Sequence, residues 1–337
     1  MDDPNALTSS RRDVLHQRAG GAALVGSGAM LAPAAQAAAG PRSGLLWSSG
    51  ATINQWSTFA TWRKRPLDTI TCWVIHNTWT DIASIKGGFS TARNSGARVS
   101  CAIRLLPKSH DGNTTPANWK NAASGLYDTY YKQFATKLAL SGVTNVICRI
   151  GWETNDKSRP DFCGTDRISF IATWRRIAGI LRTTMTQYNR TILLEWNNIK
   201  KGAQSDNIMN YYPGDDVVDI IGVNYYDGWP PLSTQAIWDS KYMAEAKGKG
   251  GPWGIGRWCA EARTRNKLFS CSEWGVNNGR YTCTDNPLYI ENMHEFFTTN
   301  VDIIAYENYF NQKRYHQLTP SDINPNSSKK YMELWGG

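Results

Sequence analysis

The feature that most restricts the fold is an alternation that runs through the chain from residue 44 onward. Short runs rich in β-branched and aromatic residues alternate with stretches of helical period. The strand-like runs are 44–47, 69–76, 98–105, one leading to Glu153, 191–196, 218–226, one leading to Glu273, and 301–306. Between them, 127–140 carries Tyr131, Phe134 and Leu138 at helical spacing, and Gly142 stops it. The stretch 167–187 places Phe170, Ile171, Trp174, Ile177, Ile180 and Leu181 on one face. Further helices are expected over 256–265 and 288–299. Strands separated by helices make a parallel sheet. Eight such units with no internal linker or repeat predict a single (β/α)8 TIM barrel over 38–337.

Two of the strand-like runs end alike. The run 146–155 opens with Val146 and Ile147 and closes through Arg149, Gly151 and Trp152 on Glu153, Thr154 and Asn155. The run 268–276 ends on Glu273, Trp274 and Gly275. In a parallel barrel the C-terminal strand ends line the active site. With two strands between them, Glu153 and Glu273 fall on the fourth and seventh strands, across the barrel mouth. A glycosidic bond breaks when its leaving oxygen gains a proton and its anomeric carbon gains a nucleophile, and two carboxyl groups supply both. One glutamate at a strand end is ordinarily a surface or capping group; two in the same setting carry the argument. Trp47, Trp79, Trp196 and Trp274 stand at or near strand ends, where a ring either stacks on a sugar or fills the core. Asn198, Asn224 and Glu307 are expected at the same face, and Glu195 reads as structural.

Composition agrees with a glycan partner. The chain has 15 Trp and 15 Tyr although it is only 41% hydrophobic, a high load of which part fills the core and any surplus on loops would offer flat apolar platforms to sugar rings. The net charge of +9 is spread over small groups such as Arg63 to Arg65 and Lys200-Lys201, with no nucleic-acid motif. It reads first as a solvated basic surface and second as a surface selecting an acidic polymer. The N-terminus reads as an address. Arg11-Arg12 resembles a twin-arginine signal, a small apolar run follows from Ala19 to Leu31, and Ala35-Gln36-Ala37 offers a cleavage site. Residues 1–37 are therefore expected to direct export, and the apolar run is too short to span a membrane. Of seven Cys, Cys72, Cys101, Cys148 and Cys271 fall on strands and read as small hydrophobes, whereas Cys163, Cys259 and Cys283 are the better disulfide candidates. No metal-ligand spacing is present, and no metal or cofactor is expected.

The chain resembles glycoside hydrolase family 26 of the retaining (β/α)8 glycosidase clan, a family of β-mannanases with some β-xylanases and β-glucanases. The resemblance rests on 149–155, on 218–227, on Trp258 to Ala262 with 272–276, and more loosely on 65–68 with Trp73, Thr78 and Trp79. It implies that Glu153 is the general acid/base and Glu273 the nucleophile, that Tyr226 orients Glu273, and that Arg149 and Asn155 support the site. An acid beside Trp152 is then expected to hold its proton, while a carboxylate held by Tyr and Arg stays ionised. Two departures stand out. Trp152 occupies a position where many members carry His. The run 155–162 is charged where many carry Asn-Gly and an aromatic platform. The expected protein is a monomeric, secreted, retaining endo-β-glycosidase acting on a polysaccharide, with β-mannan the first candidate. The alternatives are another polymer, xylan, glucan or an acidic bacterial glycan, on the same barrel, and a non-catalytic carbohydrate-binding barrel.

Overall fold

The computed structural model describes residues 40–337 except 111, 201, 229, 313, 314, 320 and 321. The expected export signal, 1–37, lies outside the described residues. Eight parallel strands close into a ring in chain order: β1 (Ser49–Thr52), β2 (Thr69–Trp73), β3 (Arg98–Ile103), β4 (Val146–Ile150), β5 (Ile192–Ile199), β6 (Ile220–Tyr226), β7 (Leu268–Gly275) and β8 (Ile304–Tyr309). The last strand pairs with the first, Ser49 opposite Glu307. With helices between the strands, this is the (β/α)8 barrel expected. A two-stranded ribbon, Ala246–Lys247 with Gly251–Pro252, is added between β6 and β7.

Strands covered on both faces read as continuous apolar runs, and β4 is buried at all five positions. The strand β1 is different. It lies five residues beyond the expected 44–47 and is built of Ser, Gly, Ala and Thr. Ring closure leaves no room for more: a Cβ at Gly50 would stand 1.8 Å from the Thr69 carbonyl oxygen. The eighth strand also begins later than expected, because Val301 to Ile303 form the turn that enters it.

The helix Arg167–Gln187 matches its pattern, capped by Asp166, whose side chain accepts the Ser169 backbone N–H. It buries Phe170, Trp174, Ile177 and Leu181. The helix Pro325–Trp335, which was not expected, seats Tyr331 and Trp335 in the same layer. Most of the core lies between strands and helices. Inside the ring a small apolar plug of Ile147, Ile220 and Tyr306 closes the N-terminal side. The disulfide expectation is corrected: Cys163, Cys259 and Cys283 are buried, and no disulfide joins any pair among the described residues. Cys72, Cys101 and Cys148 instead stand in register on three adjacent strands, as buried packing groups. No helix of the described residues is long and apolar enough to cross a membrane.

Candidate active site

Past the end of β4 the chain must turn sharply to bring Glu153 over the barrel. Gly151 (φ 67°) and Glu153 (φ 57°) both take left-handed conformations. Glycine is required at 151, because a Cβ there would meet Leu105 Cδ1 at 2.3 Å. A left-handed glutamate costs on the order of 1–3 kcal/mol and persists only where its surroundings impose it. Here Asn197 on β5 imposes it: its Oδ1 accepts the Glu153 backbone N–H at 3.1 Å. Asn155 continues the seam, donating to the Ile199 carbonyl at 2.9 Å and accepting the Ile199 N–H at 2.8 Å. Thr154 adds a bond to Asn198 Oδ1 at 2.9 Å.

The carboxylate of Glu153, a side chain 12% exposed, has two partners. Asn224 Nδ2 on β6 donates to Oε1 at 3.2 Å, and Arg159 Nη2 donates to Oε2 at 2.6 Å. Arg159 was not anticipated. Its side chain is 37% exposed and also lies 3.4 Å from Asp156. The loop carrying it is pinned at Asp161, fully buried, which pairs with Arg104 at 2.8 Å and accepts the Leu105 and Leu106 N–H groups. Trp152 does not set a pocket for Glu153 in the way expected. Its ring is covered by the Arg104 guanidinium at 3.4 Å and met edge-on by His76.

Glu273 projects from β7 and is 5% exposed. Arg149 Nη1 donates to Oε1 at 2.8 Å, and the Tyr226 hydroxyl donates to Oε2 at 3.3 Å. Burial pushes the Glu273 carboxyl above its ordinary value; Arg149 opposes the shift and the charge on Glu153 adds to it. Burial alone would lower Arg149, but Glu273, Tyr306 and Glu195 around it hold it above its ordinary value. Burial and the neighbouring Glu273 both push Tyr226 up, so it stays a phenol and a donor. The two glutamates therefore stand at one end of the ring, close enough for Asn224 to act on both.

Of the other sequence candidates, Arg149, Asn155, Asn224 and Tyr226 join this group, while Trp196 and Trp274 do not face it. Both are fully enclosed. Trp196 packs on Tyr212 and Trp258, and Trp274 on Tyr309, Phe297 and Trp335. A ring with no exposed face cannot stack on a sugar, so they support the strand ends from behind. Glu307 is also moved from the mouth to the helix layer. It accepts three indole N–H groups, from Trp47, Trp274 and Trp335. Trp79 is stacked on Tyr127 at 3.8 Å. The parity of a strand was the missed signal: with Glu273 and Tyr306 inward, Trp274 and Glu307 must face outward. Asn197 and Ser272 were missed as well: Asn197 is inward by the same alternation as Glu195, whereas Ser272 is inward beside Glu273 because the pairing of β6 with β7 shifts register between Gly222 and Asn224. Among the described residues no group of three His, Cys, Asp or Glu is placed to hold a metal ion.

A buried, arginine-held carboxylate faces a more accessible one, and such a pair can supply a nucleophile and a proton donor to one bond. No family model matches the sequence, and no curated protein matches it. Solved structures do. A family 26 glycoside hydrolase from Muricauda sp. is 16% identical, with a TM-score of 0.60 over 86% of this chain and 84% of that one. A family 26 β-mannanase from Bacteroides ovatus is 12% identical, with a TM-score of 0.57 over 86% and 88%. A modular endo-β-1,4-mannanase from Cellulomonas fimi is 12% identical, with a TM-score of 0.63 over 86% of this chain and 70% of that chain. At these identities the likeness is one of architecture, and the fold of this chain is that of the family 26 glycoside hydrolase barrel.

Proposed function

We propose that the chain is a secreted glycoside hydrolase that cuts a β-linked polysaccharide internally by double displacement. The observation that carries the reading is the unequal pair, Glu273 gripped by Arg149 and Tyr226 and Glu153 bound by Asn224 and the half-exposed Arg159. Glu273 attacks the anomeric carbon while Glu153 passes a proton to the leaving oxygen. Glu153 then takes a proton from the water that releases the glycosyl group from Glu273. The solved structures of like fold described as mannanases make β-mannan the first substrate to try. The test is a hydrolysis screen over mannan, xylan, mixed-linkage glucan and acidic exopolysaccharides, with product anomers followed by NMR. Retained configuration supports the reading. Inverted products remove the covalent step, and binding without hydrolysis leaves a carbohydrate-binding barrel.

A second reading, an acidic polymer, is favoured by Arg159 and the exposed Lys157 on the charged loop beside Glu153. A sugar carboxylate would offer Arg159 another anionic partner and draw it off the acid. If the basic surface steers such a polymer, kcat/KM on it falls several-fold as salt rises past the point where the Debye length is about 10 Å, near 0.1 M. A flat salt response points to a neutral glycan.

Export is read from Arg11, Arg12 and Ala35 to Ala37. Replacing both arginines with lysine is expected to leave the protein in the cytoplasm, judged by fractionation. Unchanged secretion of that variant would mean that another route carries it.

A further inference from the structure

A third carboxylate lies beneath the pair. Glu195 on β5 is fully enclosed and stands in register with Arg149 on β4. Its Oε2 accepts the Tyr306 hydroxyl at 2.5 Å, and that hydroxyl also meets Ser100 Oγ at 2.7 Å. Its Oε1 accepts Asn197 Nδ2 and Ser272 Oγ, each at 3.1 Å. The barrel makes room for it at Gly222, where a Cβ would come within 2.2 Å of Glu195 Oε1 and 2.6 Å of Ser270 Oγ. Burial pushes the Glu195 carboxyl up, while Arg149 and the surrounding hydroxyl donors pull it back.

What Glu195 holds is the means by which the upper pair is held. Asn197 presents its oxygen to the Glu153 backbone N–H and its nitrogen to Glu195. Asn224 points its oxygen at Asn197 Nδ2 (3.2 Å) and Ser272 Oγ (3.1 Å), which leaves its nitrogen for the Glu153 carboxylate. Ser272 Oγ also lies 3.4 Å from the Arg149 nitrogen that grips Glu273. An amide side chain has an oxygen end and a nitrogen end, and either can be turned toward a neighbour. An ionised carboxylate only accepts, so a neighbouring amide must turn its nitrogen to it.

We infer that Glu195 is a positioning residue for both glutamates: it fixes which way Asn197 faces and, through the second hydrogen of Asn197 Nδ2, which way Asn224 faces. The inference rests on the glycosidase reading above for its kinetic consequence, although the geometry stands without it. Glutamine at 195 keeps the size but can turn either end to Asn197, so the amides lose their single orientation. Glu195→Gln is expected to lower kcat per competent site by about 10–100-fold, the cost of a small misplacement of reacting groups, with KM changed less than about twofold. The loss should be greater for glycosides with poor leaving groups than for activated aryl glycosides, because Glu153 is the group that drifts.

Competent sites are counted by titration with a 2-deoxy-2-fluoro glycoside that stops at the glycosyl–enzyme. A purely structural role would reduce thermal stability and the number of titrated sites but leave kcat per site and the leaving-group dependence as in the parent. Tyr306→Phe, which removes one donor from the far oxygen of Glu195, should show the same leaving-group signature at smaller size and serves if the glutamine variant does not fold. Parent-like leaving-group dependence in the variants that fold overturns the inference. If the parent protein hydrolyses none of the glycans and labels with no fluoroglycoside, the functional reading fails instead. A crystal structure of either variant then decides: loss of the Asn197–Glu153 contact upholds the positioning role, and its retention at 3.1 Å with Glu153 still left-handed overturns it.

Discussion

Glu273→Ala is expected to lower kcat on every glycoside by about 10⁴-fold or more, the scale seen when a nucleophile is removed from a working constellation. No leaving group compensates, because the covalent intermediate has no oxygen on which to form. Glu153→Ala should behave differently. Its first step is restored by substrates whose leaving group needs no proton, and azide should then intercept the glycosyl–enzyme to give a glycosyl azide of retained configuration. The wild-type acid limb of kcat/KM should lie above the range of an ordinary glutamate, since burial raises Glu273 and only the ionised form attacks. Full activity in either alanine variant would remove the assignment.

Asp161→Ala is expected to cost about 3–5 kcal/mol of stability, the range for stripping one partner from a buried ion pair. Arg104, 1% exposed, would be left with an unanswered charge beneath the Trp152 ring, and two backbone N–H groups would lose their acceptor. For a chain of this size that corresponds to a Tm lowered by roughly 5–8 °C in a thermal melt. Arg104→Met combined with Asp161→Ala should recover much of the loss, because the penalty is the orphaned charge and not the missing pair. A single Asp161→Ala variant that melts within about 2 °C of the parent would show that the pair is not what pins this loop.

The parts of the fold legible in the sequence were those whose burial leaves a local pattern. Covered strands such as Val146–Ile150 are apolar except where a side chain serves the site, here Arg149, and the helix Arg167–Gln187 repeats its buried face every three or four residues. The strand Ser49–Thr52 carries no such mark, because its small residues answer to the carbonyl of Thr69 and the side chain of Asn308 on the two strands beside it. In the site, Glu153 and Glu273 were visible as strand-end carboxylates. Arg159, Asn197 and Ser272 were not, because each acts through a partner on another strand or loop: Asn197 on the turn after β4, Ser272 on β5 and β6, Arg159 on a glutamate six residues back. Trp196 and Trp274 were misplaced for a simpler reason. Both stand close to a strand end, but the alternation of side chains turns them to the helix side of the sheet.

The pairing of β1 with β8 has a consequence in time. Every other neighbouring pair in the ring can form from consecutive parts of the chain, but Ser49 must wait for Glu307. A contact of that sequence separation carries a large loop-closure entropy and is characteristic of slow folding. Until it forms the ring is open, and the placement of β7, which bears Glu273, against β4, which bears Arg149, rests on the two strands between them alone. On a ribosome the carboxylate pair would therefore be among the last features to take shape, after nearly all of the barrel has already been synthesised.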